Sequence, residues 1–492
     1  MKTAIVETVF GKARGYEEKG VQIWKGIPYA KPPIGPLRFR PPELPEPWAG
    51  VKDCTQFGPI AWQPPVELMD FLGNPAENMD EDCLNLNIWT PGADGERRPV
   101  MVWIHGGAFA NGAGSAPSYD GSAFAKNGDV VVVTINYRLG ALGFLYLGEM
   151  GGEKYEASGN CGILDQIAAL KWVKENIAAF GGDPDCVTIF GESAGAMSVA
   201  ALLSSPAASG LFHKAILESG AANFTATPER AAKNARRILE TLGLEKKDVA
   251  KLAEVPAKNL AEAVNSLPFM SLLPVTDGIV LPEHPERALE NAAKDIPVLI
   301  GTNKDEYRLF TVFDPVWKRQ DPKEMQDVFQ KTFAKYWDAL SAKITDPSAF
   351  TQELYDRIMT YFVFTGPALK LADTRAQTGE KVWMYQFDWE SPVYNGTLKA
   401  CHALEIPFVW HTLEQPGTEN LTGNAPGRHA LADRMHQAWI AFAQNGDPNC
   451  SLLPEWPPYD KRQRPAMTFG QDCRVENDPH QAERALWGSL GE

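Results

Sequence analysis

The sequence lacks any uncharged apolar run of 18 residues. Its most apolar segment, DVVVVTINYRLGALGFLYLG, is broken by Asn136 and Arg138 and then by glycines, so no membrane-spanning helix is expected. It also lacks a block of basic residues: 47 Lys and Arg stand against 62 Asp and Glu, a formal net charge of −15. A phosphate backbone therefore has nothing to bind, and nucleic acid is not an expected partner. Cysteine is sparse. Seven residues, at positions 54, 83, 161, 186, 401, 450 and 473, form no C-x-x-C pair, which argues against both a disulfide scaffold and a zinc site. The opening stretch, MKTAIVETVFGKARGYEEKG, carries Glu7 where a signal peptide needs its apolar region. A cytoplasmic location is expected, and sequons such as Asn223 and Asn395 are read as chance matches.

What is present describes a globular protein with a large core: 492 residues, 44% hydrophobic and 22% charged. Apolar runs recur with helix-period segments between them. LNLNIWTP, PVMVWIHGG, VVVVTINYR, CVTIFGE, HKAILESG, IPVLIGTNKDE and KVWMYQFDW read as strands, most of them apolar enough to be buried on both faces of a largely parallel sheet. In CGILDQIAALKWVKENIAAFGG, Ile163, Ile167, Leu170, Val173 and Ile177 fall at three- and four-residue steps and a glycine pair marks the stop. The pattern predicts an α/β fold. Residues 315 to 375 or so lack sheet-like runs and read as a helical excursion over one end of the sheet, within a single large domain spanning 1–492.

One short stretch raises a chemical question. TIFGESAGAMS sets Ser193 between two glycines, a G-x-S-x-G pattern that a chain of this length shows by chance about one time in six at average composition. Its surroundings add weight. VTIF supplies a strand before the serine and AGAMSVAALLSS a helix after it, and Gly191 and Gly195 clear the cramped turn between them. A serine hydroxyl needs a base. Of only eight histidines, His402 follows a late strand in a loop, whereas His213 opens a strand and His429 and His436 lie along a predicted helix. The base needs an acid, and Asp305 and Glu306 stand just beyond a buried strand; sequence alone singles out neither. The double glycine of VWIHGGAFANG offers the bare amides of Gly106 and Gly107 to an oxyanion, Ala194 adds a third, and His105 is read as shaping that loop.

With these features in place, the chain resembles the type-B carboxylesterase/cholinesterase family of α/β-hydrolases nearly end to end. The matching segments are GIPYAKPPIGPLRF, EDCLNLNIWTP, WIHGGAF, NYRLGALGFL, GNCGILDQIAALKWVKENIAAFGGDP, VTIFGESAGA, GTNKDEY and CHALEIPFVW. Among members it is similar to the bacterial para-nitrobenzyl esterase type and thermophilic carboxylesterases. The resemblance implies Ser193 as nucleophile, Glu306 as acid, His402 as base, an oxyanion hole from Gly106, Gly107 and Ala194, and support of the acid and base by Ser219. Departures are informative. Many members have glycine after the acid, where this chain has Tyr307, which either narrows the site or packs. Secreted members bridge the EDCL cysteine to one upstream; here Ala61 stands near the expected partner and only Cys54 precedes Cys83, which argues against that bridge. Cys401, beside His402, is read as a buried bystander.

The expected activity is hydrolysis of uncharged short- to medium-chain carboxylic esters through an acyl-enzyme, with no metal or cofactor and with only the ester and water as partners. A carbamate or amide hydrolase would use the same residues, and a catalytically silent binding protein of the same fold is the rival from another class. Phe269, Phe310 and Phe362 are candidate pocket walls.

Overall fold

The computed structural model describes residues 2–73, 78–319, 321–344 and 346–488. One sheet runs through it. Its strands are β1 (Lys2–Thr8), β2 (Gly11–Glu18), β3 (Val21–Pro28), β4 (Val51–Asp53), β5 (Asn85–Thr90), β6 (Arg98–Ile104), β7 (Val131–Ile135), β8 (Gly182–Glu192), β9 (Lys214–Glu218), β10 (Val298–Asn303), β11 (Val382–Phe387), β12 (Pro465–Phe469) and β13 (Arg474–Asn477). Their order across the sheet is β1-β2-β3-β5-β7-β6-β8-β9-β10-β11-β12-β13, with β4 beside β2. From β7 to β12 every neighbouring pair is parallel, while β1–β3, β5 and β13 pair antiparallel at the two flanks. All seven strands expected from the sequence form. The meander β1–β3, the short strand β4 and the C-terminal pair β12 and β13 are additional.

The burial explains the runs. Every residue of β7, β9, β10 and β11 is buried, as strands covered on both faces must be. Strand β5 is buried throughout despite its alternating asparagines. Asn87 donates to Thr134 Oγ1 and accepts from the Gly26 amide, and Asn85 donates to the Pro59 carbonyl, so neither is left unpaired.

The helix Cys161–Asn176 buries Ile163, Ile167, Leu170 and Val173 as its period requires, and Ile177 just beyond it. It also carries a buried ion pair. Both the amide and Nε of Arg138 donate to Asp165 Oδ2, at 3.0 and 2.7 Å, and Nη2 donates to Oδ1 at 2.7 Å. This pins the segment after β7 to the helix.

Between Arg308 and Gln377 the described residues form helices and turns without a strand. They build a small aromatic core of their own around Trp317, Phe329, Phe333 and Tyr355, closed by Trp487. All seven cysteines are unpaired, Cys54 and Cys83 among them. Among the described residues no helix is long and apolar enough to cross a membrane.

Candidate active site

Five adjacent strands, β6, β8, β9, β10 and β11, end on the same side of the sheet, and each delivers a polar group beyond its C-terminal end. After β8 the chain turns at Ser193 into the helix Ala194–Ser204. Ser193 has φ 55° and ψ −122°, a conformation rare for a side-chain-bearing residue and costing on the order of 1–3 kcal/mol. The turn is held from both sides: the Ser193 amide donates to the Glu218 carbonyl at 2.8 Å, and its carbonyl accepts from Met197 at 2.9 Å. Close packing demands the flanking glycines. A Cβ on Gly195 would lie 2.0 Å from the Ile104 carbonyl oxygen, and one on Gly191 would lie 2.6 Å from the Gly195 carbonyl carbon.

After β6, the loop from His105 to Gly112 bends through four positive φ values, at Gly107, Ala108, Phe109 and Gly112. It is fastened by Gly140 N donating to the Phe109 carbonyl and by Asn111 N donating to the Gly107 carbonyl. Gln63 clamps its far end, accepting from Gly112 N and donating to Gly112 O. No described residue accepts from the amides of Gly106, Gly107 or Ala194, and Gly106 and Gly107 line the same cavity as Ser193. His105 is buried and stacked on Tyr137 at 4.5 Å. Burial pushes its pKa down to about 4, and its neutral ring donates from Nδ1 to the Gly106 carbonyl. It shapes the loop.

His402 lies beyond β11 with both ring nitrogens against carboxylates. Nδ1 is 2.6 Å from Glu306 Oε2 and Nε2 is 3.0 Å from Glu192 Oε1. Glu306 is fully buried, and its other oxygen accepts from the Asn303 amide at 2.7 Å, which fixes the carboxylate's orientation. Asp305 instead accepts from the Ala400 amide at 3.3 Å and braces the loop that carries His402. The geometry thus distinguishes the two carboxylates that sequence left equal. Among the described residues no hydrogen bond joins Ser193 Oγ to His402. Burial alone would lower the pKa of His402, but the charges of Glu192 and Glu306 outweigh it and hold the imidazole above its ordinary value. Glu192 is itself held high by burial.

Three carboxyl groups here were not found by sequence reasoning: Glu192, Glu218 and Glu405, all buried. Glu405 accepts from Asn303 Nδ2 at 2.5 Å and from Ser219 Oγ at 3.4 Å, and Glu218 accepts from Trp439 Nε1 at 2.8 Å. Ser219, on a positive-φ turn after β9, therefore reaches Glu405, not Glu306 or His402. The signal available in the sequence was a lone glutamate inside each otherwise apolar stretch, IFGES, AILES and HALEIPF.

Above these groups opens a cavity of about 1030 Å³, counting its mouth, walled mainly by Leu68, Phe269, Met270, Phe310, Phe364 and Ile406. Phe310 and Phe364 pack on the His402 ring at 5.3 and 4.8 Å. Two of the three anticipated aromatics line it. Phe362 does not: it is 42% exposed and stacks on Trp487 at 5.1 Å. The segment Tyr361–Thr365 is a wide π-turn, and it aims Phe364 inward instead. Tyr307 packs against Phe310 and Tyr355 without lining the cavity. The other histidines lie outside the cavity: His213 accepts from the Val187 amide, His436 bonds the Val409 carbonyl, and His429 pairs with Glu414. Cys401 is buried, which raises its thiol pKa far above the ordinary value.

Comparison with known proteins decides the family. The family model described as "Carboxylesterase family" matches residues 2–487. The chain belongs to the carboxylesterase family. It is 43% identical to the para-nitrobenzyl esterase of Bacillus subtilis (strain 168) over the full length of both chains. It is 37% identical to the cocaine esterase of Homo sapiens, over 90% of this chain and 83% of that one. The crystal structure of the Geobacillus stearothermophilus carboxylesterase EST55 at pH 6.2 superposes with a TM-score of 0.89 at 50% identity, covering 98% of this chain and 99% of the other. The fold of this carboxylesterase is accordingly that of the α/β-hydrolases, and the protein is a carboxylic ester hydrolase.

Proposed function

We propose that this carboxylesterase cleaves its ester with Ser193 as nucleophile, His402 as base and Glu306 as the acid that orients it, and that the amides of Gly106, Gly107 and Ala194 hold the oxyanion. The observation that carries the reading is the strained Ser193 turn at the floor of an apolar cavity that also holds His402, hydrogen-bonded to buried Glu306. Because Nδ1 keeps its proton and donates it in a hydrogen bond to Glu306, the lone pair of the neutral imidazole sits on Nε2. Nε2 exchanges Glu192 for the serine hydroxyl, takes its proton as Oγ attacks the carbonyl carbon, and returns that proton to the departing alcohol. Water repeats the sequence on the acyl-enzyme and releases the acid. The negative charge on the carbonyl oxygen meets amides fixed before the reaction begins, so little reorganisation opposes it.

The apolar walls favour uncharged groups next to the scissile bond and short to medium acyl chains. The whole chain acts as one domain, with residues 315–375 as a helical excursion within it. Its seven unpaired cysteines support a reducing, cytoplasmic setting.

Ser193→Ala is expected to cut turnover of p-nitrophenyl butyrate by about 10⁴-fold or more without changing the melting curve. Retained turnover contradicts the assignment. On matched p-nitrophenyl ester, p-nitrophenyl carbamate and p-nitroanilide, the ester should react fastest; a faster carbamate or anilide overturns the substrate class.

A further inference from the structure

Far from the cavity, toward the other end of β8, a cysteine stands against a lysine. Cys186 precedes Ser193 by seven positions, mostly along the strand, so about 20 Å separates the two at roughly 3.3 Å per residue. Lys214 opens the neighbouring strand β9, where it pairs in register with Thr188 of β8. Its Nζ donates to Cys186 Sγ at 3.1 Å. The Ala443 carbonyl, near the end of the helix Arg428–Asn445, lies 3.9 Å from the same sulfur.

The lysine is buried without a carboxylate. It is 8% exposed, yet among the described residues it makes no ion pair, and the sulfur is the only side chain to which its Nζ donates. The acidic residues of the adjoining stretch, Asp183 and Asp185, are taken up by Arg97, at 2.5 and 2.9 Å. A buried charge requires a partner, and a thiolate at Cys186 supplies one. Cys186 is also partly exposed, whereas Cys54, Cys83, Cys161 and Cys401 are buried. A small oxidant can therefore reach this sulfur, and an amine already lies beside it. Cys450 and Cys473 are partly exposed too, but among the described residues neither has a lysine within hydrogen-bond reach.

We propose that Cys186 and Lys214 are a modification site at which a peroxide forms a covalent cross-link, a sulfenamide between Sγ and Nζ. The thiolate attacks one peroxide oxygen, and the O–O bond breaks as the S–O bond forms. The leaving hydroxide takes a proton from the Lys214 ammonium and departs as water. Sulfur is oxidised by two electrons and the peroxide is reduced, which leaves a sulfenic acid beside a neutral amine. The Nζ lone pair then attacks sulfur, the S–O bond breaks, and the oxygen leaves as a second water with a proton from nitrogen. Sulfenic acids condense with a backbone nitrogen in the same way, and condensation forestalls further oxidation to sulfinic acid. The new bond ties β8 to β9 at the end of the sheet remote from the reacting groups. Two equivalents of a thiol reduce it and restore both side chains.

The test treats the full wild-type chain with a small excess of hydrogen peroxide, blocks the remaining thiols and maps the peptides by mass spectrometry. A glutamyl endopeptidase separates the two residues, because it cuts after Glu175, Glu192 and Glu218. The expected product is the peptide 176–192 joined to 193–218, with the mass of the pair less two hydrogens. Dithiothreitol should release both peptides unmodified. Trypsin should stop cutting after Lys214 in the treated chain and cut there again after reduction. Lys214→Arg keeps the positive charge without a condensing amine, so it should give no joined pair and should raise dimedone trapping of Cys186 sulfenic acid several-fold. The wild-type result stands by itself if that variant does not fold. A Cys186 thiol that survives peroxide overturns the proposal, as does Cys186 sulfinic acid beside unmodified Lys214. A joined pair whose linkage keeps an oxygen, or one that resists dithiothreitol, overturns the condensation and the proposal with it.

Discussion

At His402 two carboxylates compete for one imidazole, and the outcome sets the pH dependence. With His402 as the proposed base, Nε2 has no lone pair to offer Ser193 while the Glu192–His402 pair holds its extra proton, so kcat/KM should rise with pH as that proton leaves. Because the two carboxylates raise the imidazole, the rising limb should lie above the ordinary histidine value of about 6.5. Glu192→Gln removes one of the raising charges and should move the limb toward acid, which a kcat/KM profile from pH 5 to 10 measures. An unmoved limb would mean that Glu192 does not govern the titration. Residues at this scale were unevenly legible. Ser193 and His402 stood out as candidates because a nucleophile and a base are expected just after strands, and the fold brings the two to one cavity. Glu306 and Asp305 looked alike, since only the turn after β10 decides which carboxylate points at the ring. Glu218 and Glu405 matter through burial, which depends on neighbours more than 180 residues away: Trp439 for Glu218 and Ser219 for Glu405.

The strand-turn-helix around Ser193 is the element on which the proposed chemistry depends, and it has no spare room. Gly195→Ala places a methyl group 2.0 Å from the Ile104 carbonyl oxygen, so either the helix or the end of β6 must move. If Ser193 is the nucleophile as proposed, a displacement near 1 Å there costs about 100-fold in rate, and the loss should appear in kcat. Gly488→Ala, where a Cβ meets nothing within 4 Å, is the matched control; equal kcat in the two variants would refute the steric account. This element was readable in advance because its glycines and flanking patterns are local. The π-turn at Tyr361–Thr365 was not. It departs from the 3.6-residue period, so the sequence offered Phe362 as a wall where the turn presents Phe364.

Across the molecule, the parallel strands were legible because burial on both faces forces near-continuous Val, Ile, Phe and Leu. The N-terminal meander was less so: β2, GKARGYEE, is a partly exposed flanking strand whose charges hide its pairing. The ion pair between Arg138 and Asp165 joins the parallel centre to a helix across the sheet's face and is almost wholly buried. Burial pushes the Asp165 carboxyl up and Arg138 opposes it, so each charge depends on the other. Asp165→Ala leaves the guanidinium uncompensated and should destabilise the fold by about 3–5 kcal/mol, read as a lower denaturation midpoint. A shift within 0.5 kcal/mol or so would assign the pair no structural weight.

The proposed reaction turns on attack by a single serine. A fluorophosphonate reacts covalently with an activated serine nucleophile, so incubation with excess reagent followed by intact-mass and peptide-mass spectrometry counts and locates the attacking group. One adduct per chain, on the peptide containing Ser193, with activity lost in proportion and no adduct in Ser193→Ala, is the predicted result. An adduct on another residue, or full inhibition without modification of Ser193, would contradict it.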